Sequence, residues 1–345
     1  MVVDKDFSFS SYLAFRYIVK KGIGWGEGVV PEFPEIEEGE LFKVKTPEDV
    51  REALKAILAE ELKADTGLLL SSGIDSAILA ALLPKDTPSY TIRFIADNAV
   101  DESTAAKMYA ERCGLDHTVI DVTWDDYLEY GDHLMKNKKS PLHAVEVGLF
   151  KSTLMAKENG VKNLILGNGA DSTFGGLDKL LSKDWTFDEF VERYTFVKPK
   201  GVAKRPVSIL DTYEEYRTGD QIDVIRFLKI VHGFGVIQAF DNAIHCGGCE
   251  IIAPYERLLL DAPLDIARIR GGESKYILRN IFKDIYKELD VPEKIPFSRP
   301  MDRWLSDWTG PKRSEFVDDL DMTKFTGDQK WLLYCLERFL DIHEL

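Results

Sequence analysis

Cysteine is scarce in this chain: Cys113, Cys246, Cys249 and Cys335 are the four in 345 residues. That is too few for a disulfide scaffold. A zinc site on Cys246-Gly247-Gly248-Cys249, with His245 beside it, lacks the second ligand pair that a structural site needs. The paired glycines read instead as backbone lying close to substrate. Basic charge is also short. The 44 Lys and Arg face 59 Asp and Glu, for a formal net charge of -15 and a pI near 5.0. That balance argues against a broad electrostatic footprint for DNA or RNA, so no nucleic-acid partner is expected. It leaves room for a few local cations to hold a triphosphate. No stretch approaches 18 apolar residues, so no membrane span is expected. Met1-Val2-Val3-Asp4-Lys5-Asp6 mixes its charges and leads into no apolar region, unlike a secretory signal, and the cytoplasm is the expected compartment. Repeats and low-complexity tracts are missing, and so is a G-x-x-x-x-G-K-S/T phosphate loop.

What is there is an alternation. Residues 47–62 carry Val50, Leu54, Ile57, Leu58 and Leu62 at helical spacing, with Pro47 suited to the first turn. Thr66–Leu70, Ser89–Ile95, His117–Val122 and Val161–Leu166 read as buried strands, and Ala77–Leu83, Glu102–Cys113 and Pro141–Asn159 as the helices between them. Such alternation predicts right-handed βαβ units and a parallel sheet, with ligands at the carboxyl ends of the strands. Beyond about 184 the strand signal fades, and Asp220–Gln238, Ile251–Ile269, Ser274–Leu289 and Gln329–Leu340 read as helices. The expected division is an irregular cap over 1–45, an α/β nucleotide domain over 46–180 and a mostly helical substrate-side part over 181–345.

Two glycine-bearing turns carry the chemistry. After the first strand, Leu70 leads into Ser71-Ser72-Gly73-Ile74-Asp75-Ser76 and then a helix. Consecutive N–H groups, the positive end of that helix and a glycine that admits close approach suit a phosphate. Asp75 would repel phosphate unless a metal stood between, so it is a natural Mg²⁺ ligand. The plainer alternative is a turn whose Ser and Asp only cap the helix. The second turn, Gly167-Asn168-Gly169-Ala170-Asp171-Ser172-Thr173-Phe174-Gly175-Gly176, follows another apolar strand. Its Asp171 supplies a second ligand, so Asp75 and Asp171 together would hold Mg²⁺ against the phosphates of ATP.

With both turns in view, the chain resembles the synthetase domain of the asparagine synthetase family, within the wider class of ATP pyrophosphatases with an S-G-G-x-D-S loop. The resemblance runs over roughly 47–300. It rests on Val50-Arg51-Glu52-Ala53-Leu54, Asp101-Glu102 with Ala105-Ala106, Gly114-Leu115-Asp116-His117, the Gly-x-Gly-Ala-Asp of 167–171, Glu250 to Pro254-Tyr255, and Ser274-Lys275-Tyr276-Ile277-Leu278-Arg279. It implies a doubly wound five-stranded parallel sheet followed by helices. It implies an AMP-forming amide ligase: a small-molecule carboxylate is adenylated by Mg-ATP, and ammonia or an amine then displaces AMP. The loop of Ser71, Ser72, Gly73, Ile74, Asp75 and Ser76, with Gly167 and Gly169, would grip pyrophosphate, while adenine would lie near Leu70, Ile92 and Arg93. Lys275 would lie close to the nucleotide.

Departures from the family pattern narrow this. Val2 stands where a glutaminase domain needs its Cys nucleophile, so ammonia would come free, from a separate glutaminase or pathway enzyme, or be replaced by another amine. Asn168 takes the place of the first Glu of G-E-G-A-D-E, Ser172 that of the second, and Ser72 stands where relatives use Gly. Asn168 is at the catalytic position, but an amide is no base near neutral pH; Glu146 and Asp178 are the candidate replacements. The family Lys that contacts pyrophosphate has Arg299 as its nearest basic counterpart, with Lys294 second. Two other readings remain: an ATP pyrophosphatase of thiolation or tRNA modification, which would want a reactive Cys near the second loop, and a non-catalytic nucleotide-binding relative.

Overall fold

The computed structural model describes residues 2–33, 41–293 and 299–345. After a two-residue strand, Val2–Val3, paired with Ile23–Gly24, the chain runs into helix α1 (Lys5–Phe15), where an irregular cap was expected. Asp4 caps it by accepting from the Phe7 N–H, and residues Phe7 to Phe15 are buried. The aromatic residues that looked scattered in sequence pack inward on both sides of this helix, so periodicity had no polar face to reveal.

Helix α2 (Pro47–Glu61) starts with Pro47 behind a Thr46–Asp49 capping box. Then come strand β1 (Thr66–Leu69), helix α3 (Ile74–Leu82), strand β2 (Pro88–Phe94) and helix α4 (Ser103–Cys113), closed by Gly114 in the left-handed region. Strand β3 (Asp116–Val122), helices α5 (Trp124–Lys138) and α6 (Glu146–Glu158) and strand β4 (Asn163–Ile165) follow. A short α7 (Ala170–Thr173) opens the second glycine turn.

The fifth strand, β5 (Glu250–Ile252), arrives late, after helix α8 (Gly233–Gly247). Residues 251–269 were expected to be helical. They form instead β5, a 3-10 turn at Pro254–Arg257, a strand Leu258–Leu260 paired with Phe42–Val44, and a short helix. Pro254 and the β-branched pair Ile251-Ile252 favour this outcome, whereas a short apolar run does not by itself separate strand from helix. Ile252 pairs with Ile165 on the far side of β4, so the sheet gains an edge from the part of the chain read as helical.

The strand order is β5-β4-β1-β2-β3, all parallel. One face carries α2, α3, α4 and helix α9 (Tyr276–Ile285) on Leu68, Leu70 and Ile165. The other carries α5, α6, α8 and helix α10 (Gly327–Ile342) on Tyr90, Phe94, Ile120 and Leu164. The sheet is therefore doubly wound, as expected. From β1 the chain builds outward to β2 and β3, then returns to the opposite side of β1 as β4. The direction reverses between β1 and β4, and a doubly wound sheet opens its ligand crevice at that point.

Candidate active site

Both glycine-bearing turns leave the carboxyl ends of β1 and β4, one on each side of this reversal. The first is held by its own serines. The Ser76 hydroxyl accepts from the Ser71 N–H at 3.0 Å, and the Ser71 hydroxyl accepts from Gly73 N–H at 3.2 Å. Gly73 is the N-cap of α3 and no side chain caps that helix, so its first N–H groups keep their capacity for a ligand. This disfavours the plainer capping reading. Ser72 donates instead to Glu102 at 2.7 Å, a half-buried carboxyl that burial pushes up.

The second turn packs onto the first. A Cβ on Gly167 would stand 3.2 Å from Asp75 Cβ, so glycine there lets the two backbones meet. Gly169, with φ of +87°, carries the chain into α7 and brings Asp171 round. Between Asp75 and Asp171 lies the ammonium of Lys275. Its Nζ is 2.5 Å from Asp75 Oδ2 and 2.7 Å from Asp171 Oδ1. Lys275 itself adopts φ of +53° at the start of α9. Burial draws its pKa down, but Asp75 and then Asp171 outweigh burial and leave it raised. Gly176 makes room: a Cβ there would lie 1.9 Å from Asp171 Oδ1 and 2.2 Å from Lys275 Cε. Two carboxylates converging on one cation are also a donor set suited to Mg²⁺, which takes one or two carboxylates and completes its shell with phosphate oxygens and water. The residues therefore fit the metal expected from sequence.

A third segment closes the site. The 3-10 turn after β5 places Tyr255 so that its hydroxyl donates to the Asp75 carbonyl at 3.0 Å. The next residue, Glu256, accepts from Asn168 Nδ2 in a short hydrogen bond. Glu256 is exposed as a residue, yet desolvation of its carboxyl, reinforced by Asp241, pushes its pKa up to about 7 against the pull of Asn168. The sequence reading missed Glu256. Its signal was a charged residue directly after Pro254-Tyr255, where a short apolar segment was expected to stay helical.

Ser71, Ser72, Gly73, Ile74, Asp75, Ser76, Gly167, Asn168, Gly169, Asp171 and Lys275 thus come together. Leu70 is buried at the loop's entrance, its carbonyl accepting from Thr91 at 2.6 Å. Ile92 packs on Gly148 of α6, and Arg93 is held bidentately by Asp121 at 2.6 and 2.9 Å. Arg299 lies apart from both turns. Its guanidinium binds Asp328 at 3.3 and 3.0 Å in a small cavity lined also by Arg16, His143, Phe196 and Trp331, and no residue of either turn lines that cavity. Lys294 lies outside the described residues. Glu146, one candidate for the missing acid, has its carboxylate engaged by other groups. It is wholly buried, bonded to Lys138 Nζ at 2.6 Å, His143 N–H at 2.6 Å and Asn242 Nδ2 at 2.6 Å. Asp178 is exposed in a turn where its carbonyl accepts from Leu181. The glycines of Cys246-Gly247-Gly248-Cys249 have a packing reason rather than a substrate. Gly247 seats α8 on Thr153, where a Cβ would come within 2.6 Å, and Gly248 ends the helix at φ of +87°. Cys246 contacts His133, whereas Cys249 is buried and donates to the Val161 carbonyl.

Comparison with known proteins adds an independent line. The family model described as asparagine synthase matches residues 49–226. Among curated proteins, the amidase chry2 of Gibberella zeae is 28% identical over an alignment of 151 residues that covers 38% of this chain and 22% of that protein. The matched segment is thus about a fifth of that relative's length. Among solved structures, the NMN synthetase from Francisella tularensis aligns over 74% of this chain and 100% of its own, at 13% identity and a TM-score of 0.29. The NH3-dependent NAD synthetase from Campylobacter jejuni aligns over 72% and 97%, at 12% identity and a TM-score of 0.26.

Proposed function

The chain belongs to the asparagine synthase family, and on that premise we propose that it is an AMP-forming ligase that joins a small-molecule carboxylate to ammonia or an amine at the expense of ATP. The observation that carries the reading is the meeting of Asp75, Asp171 and Lys275 at the reversal of the sheet, beside an uncapped helix N-terminus. A carboxylate oxygen of the substrate attacks the α-phosphorus of ATP. The bond to the β-phosphate breaks, and pyrophosphate leaves with the electron pair. The N–H groups of the 71–76 loop and the Lys275 ammonium face the charge that develops on that leaving group, and preorganised donors of this kind lower the barrier. Mg²⁺ held by Asp75 and Asp171 would neutralise phosphate charge when bound. In the second step the amine attacks the acyl carbon and AMP departs. The pyrophosphate contact expected of Arg299 is assigned here to Lys275.

The test is pyrophosphate release with Mg-ATP over a panel of amino and dicarboxylic acids, with ammonia and with primary amines as acceptors. Release that depends on one carboxylate, with AMP formed in equal amount, is expected. Asp75→Asn and Asp171→Asn should each lower it by about two orders of magnitude or more, the scale of losing a charge-stabilising contact. Tight ATP binding without pyrophosphate from any carboxylate would refute the ligase and leave a non-catalytic nucleotide-binding protein.

A further inference from the structure

Position 168 carries an amide where the asparagine synthetase pattern has an acid, and the acid has not vanished from the site. Glu256 reaches Asn168 from another segment altogether, the turn after β5. We propose that Glu256 is the general base of the second step, with Asn168 as its positioning partner. This rests on the ligase reading above.

The backbone fixes the pair. A Cβ at Gly169 would stand 2.8 Å from Glu256 Cγ and 2.9 Å from its N, so only glycine lets the 167–169 turn lie flat on residue 256. Tyr255, one residue earlier, holds the 71–76 loop through the Asp75 carbonyl. The 3-10 turn is thus pinned to both phosphate-side turns, and the carboxyl of Glu256 can move little relative to either. An amide suits this partner in both protonation states. Its NH2 donates to the carboxylate, and turned over, its carbonyl accepts from the acid. A second carboxylate at 168 would instead repel Glu256.

The charged groups around Glu256 leave it uncompensated. Asp241, on α8, repels it. Arg257, its neighbour, is taken up by Glu60 and Glu61 of α2 at 3.0 and 2.5 Å. Lys275 is bound to Asp75 and Asp171 on the α7 side. A carboxyl pushed up to about 7 is matched to proton transfer near neutral pH. Because Glu256 is exposed, an incoming amine can reach it. In the step itself the free amine nitrogen bonds to the acyl carbon, and the carbon–oxygen bond to AMP breaks with its electron pair leaving on AMP. The proton shed by the nitrogen passes to Glu256.

The experiment separates the two steps, using the carboxylate found by the panel above. ATP–[³²P]pyrophosphate exchange reports adenylation; amide formation from ammonia reports the whole reaction. Glu256→Gln should keep exchange within about threefold and lose 10²-fold or more in amide formation, the usual range for a general base. Hydroxylamine, a strong nucleophile of low basicity whose adduct sheds its proton readily to water, should restore most of the lost rate as hydroxamate. Glu256→Asp should restore part of it. With kcat/KM expressed on unprotonated NH3, the acidic limb expected near pH 7 should vanish in Glu256→Gln. Equal loss of exchange and amide formation, or no gain with hydroxylamine, would overturn the assignment. If the wild type gives no exchange with any carboxylate, the ligase reading fails, and Glu256 is then judged by ¹³C-carboxyl NMR of glutamate-labelled protein. A resonance absent in Glu256→Gln and titrating near 7 would uphold a poised base, and one titrating in the ordinary carboxylate range would overturn it.

Discussion

Replacing Lys275 by Met removes the cation between two carboxylates while keeping most of the side chain's volume. Lys275 is 8% exposed and Asp75 19%, whereas Asp171 is 42% exposed. Breaking a fully buried ion pair costs about 3–5 kcal/mol, because the abandoned charge stays desolvated. Water at Asp171 screens part of that, so about 2–4 kcal/mol is expected for Lys275→Met. Urea unfolding, compared with the wild type at pH 7 and low salt, gives the number. The cause is checked by a cycle. Adding Asp171→Asn should recover about 1 kcal/mol or more in the Lys275→Met background, since contacting charges couple on that scale, and should itself destabilise the wild type. Millimolar Mg²⁺ should raise the melting temperature of Lys275→Met more than that of the wild type, because the divalent ion takes the place the ammonium has left. A loss below about 0.5 kcal/mol with no coupling to Asp171 would refute the reasoning, since that is the size of an ordinary surface substitution.

Lys138→Met should cost about 3–5 kcal/mol, because Lys138 and Glu146 form a pair 3% and 0% exposed. Burial raises Glu146 above its ordinary 4.5 even with Lys138 opposing. Its contribution to stability is therefore full below that value and is lost as pH rises through the folded pKa. Lys138→Met widens that window, so its deficit in urea unfolding should be larger at pH 8 than at pH 5. Glu315 behaves in the opposite sense: Arg313, and then Lys5, hold it at about 2 against an ordinary 4.5. Its stabilisation is present above 4.5 and lost as pH falls from 4.5 to about 2, so Glu315→Gln should flatten the acid limb of the urea midpoint between those values. Gly176→Ala should displace Asp171 from Lys275 and cost about 1–3 kcal/mol by overpacking, with loss of pyrophosphate release. Differential scanning calorimetry and the exchange assay read the two effects.

Much of this protein is legible in one dimension. Local chemistry wrote α2, through Pro47 and the Thr46–Asp49 box, and the four strands from 66 to 165, through short runs with a glycine or proline near at least one end. The two turns and their aspartates were legible for the same reason: phosphate chemistry needs glycine, hydroxyls and acid within a few consecutive residues. Where the decisive contact joins distant segments, the sequence is silent. Helix α1 is covered on all sides, its Ser8, Ser10 and Ser11 as buried as its aromatic residues, and that leaves no periodic signal. The fifth strand has β-branched residues in its favour, but a three-residue run is settled as strand only by its pairing with β4. Arg299 stood at the right spacing for a phosphate contact, yet packing gave it to Asp328. One dimension thus carried the two glycine-bearing turns and four strands of the parallel sheet beneath them. Only the tertiary structure decided that Lys275 bridges Asp75 and Asp171, and that Glu256 stands against Asn168. The reason is physical: a hydrogen bond across 88 residues depends on how the sheet is ordered, and no local preference of either residue encodes it.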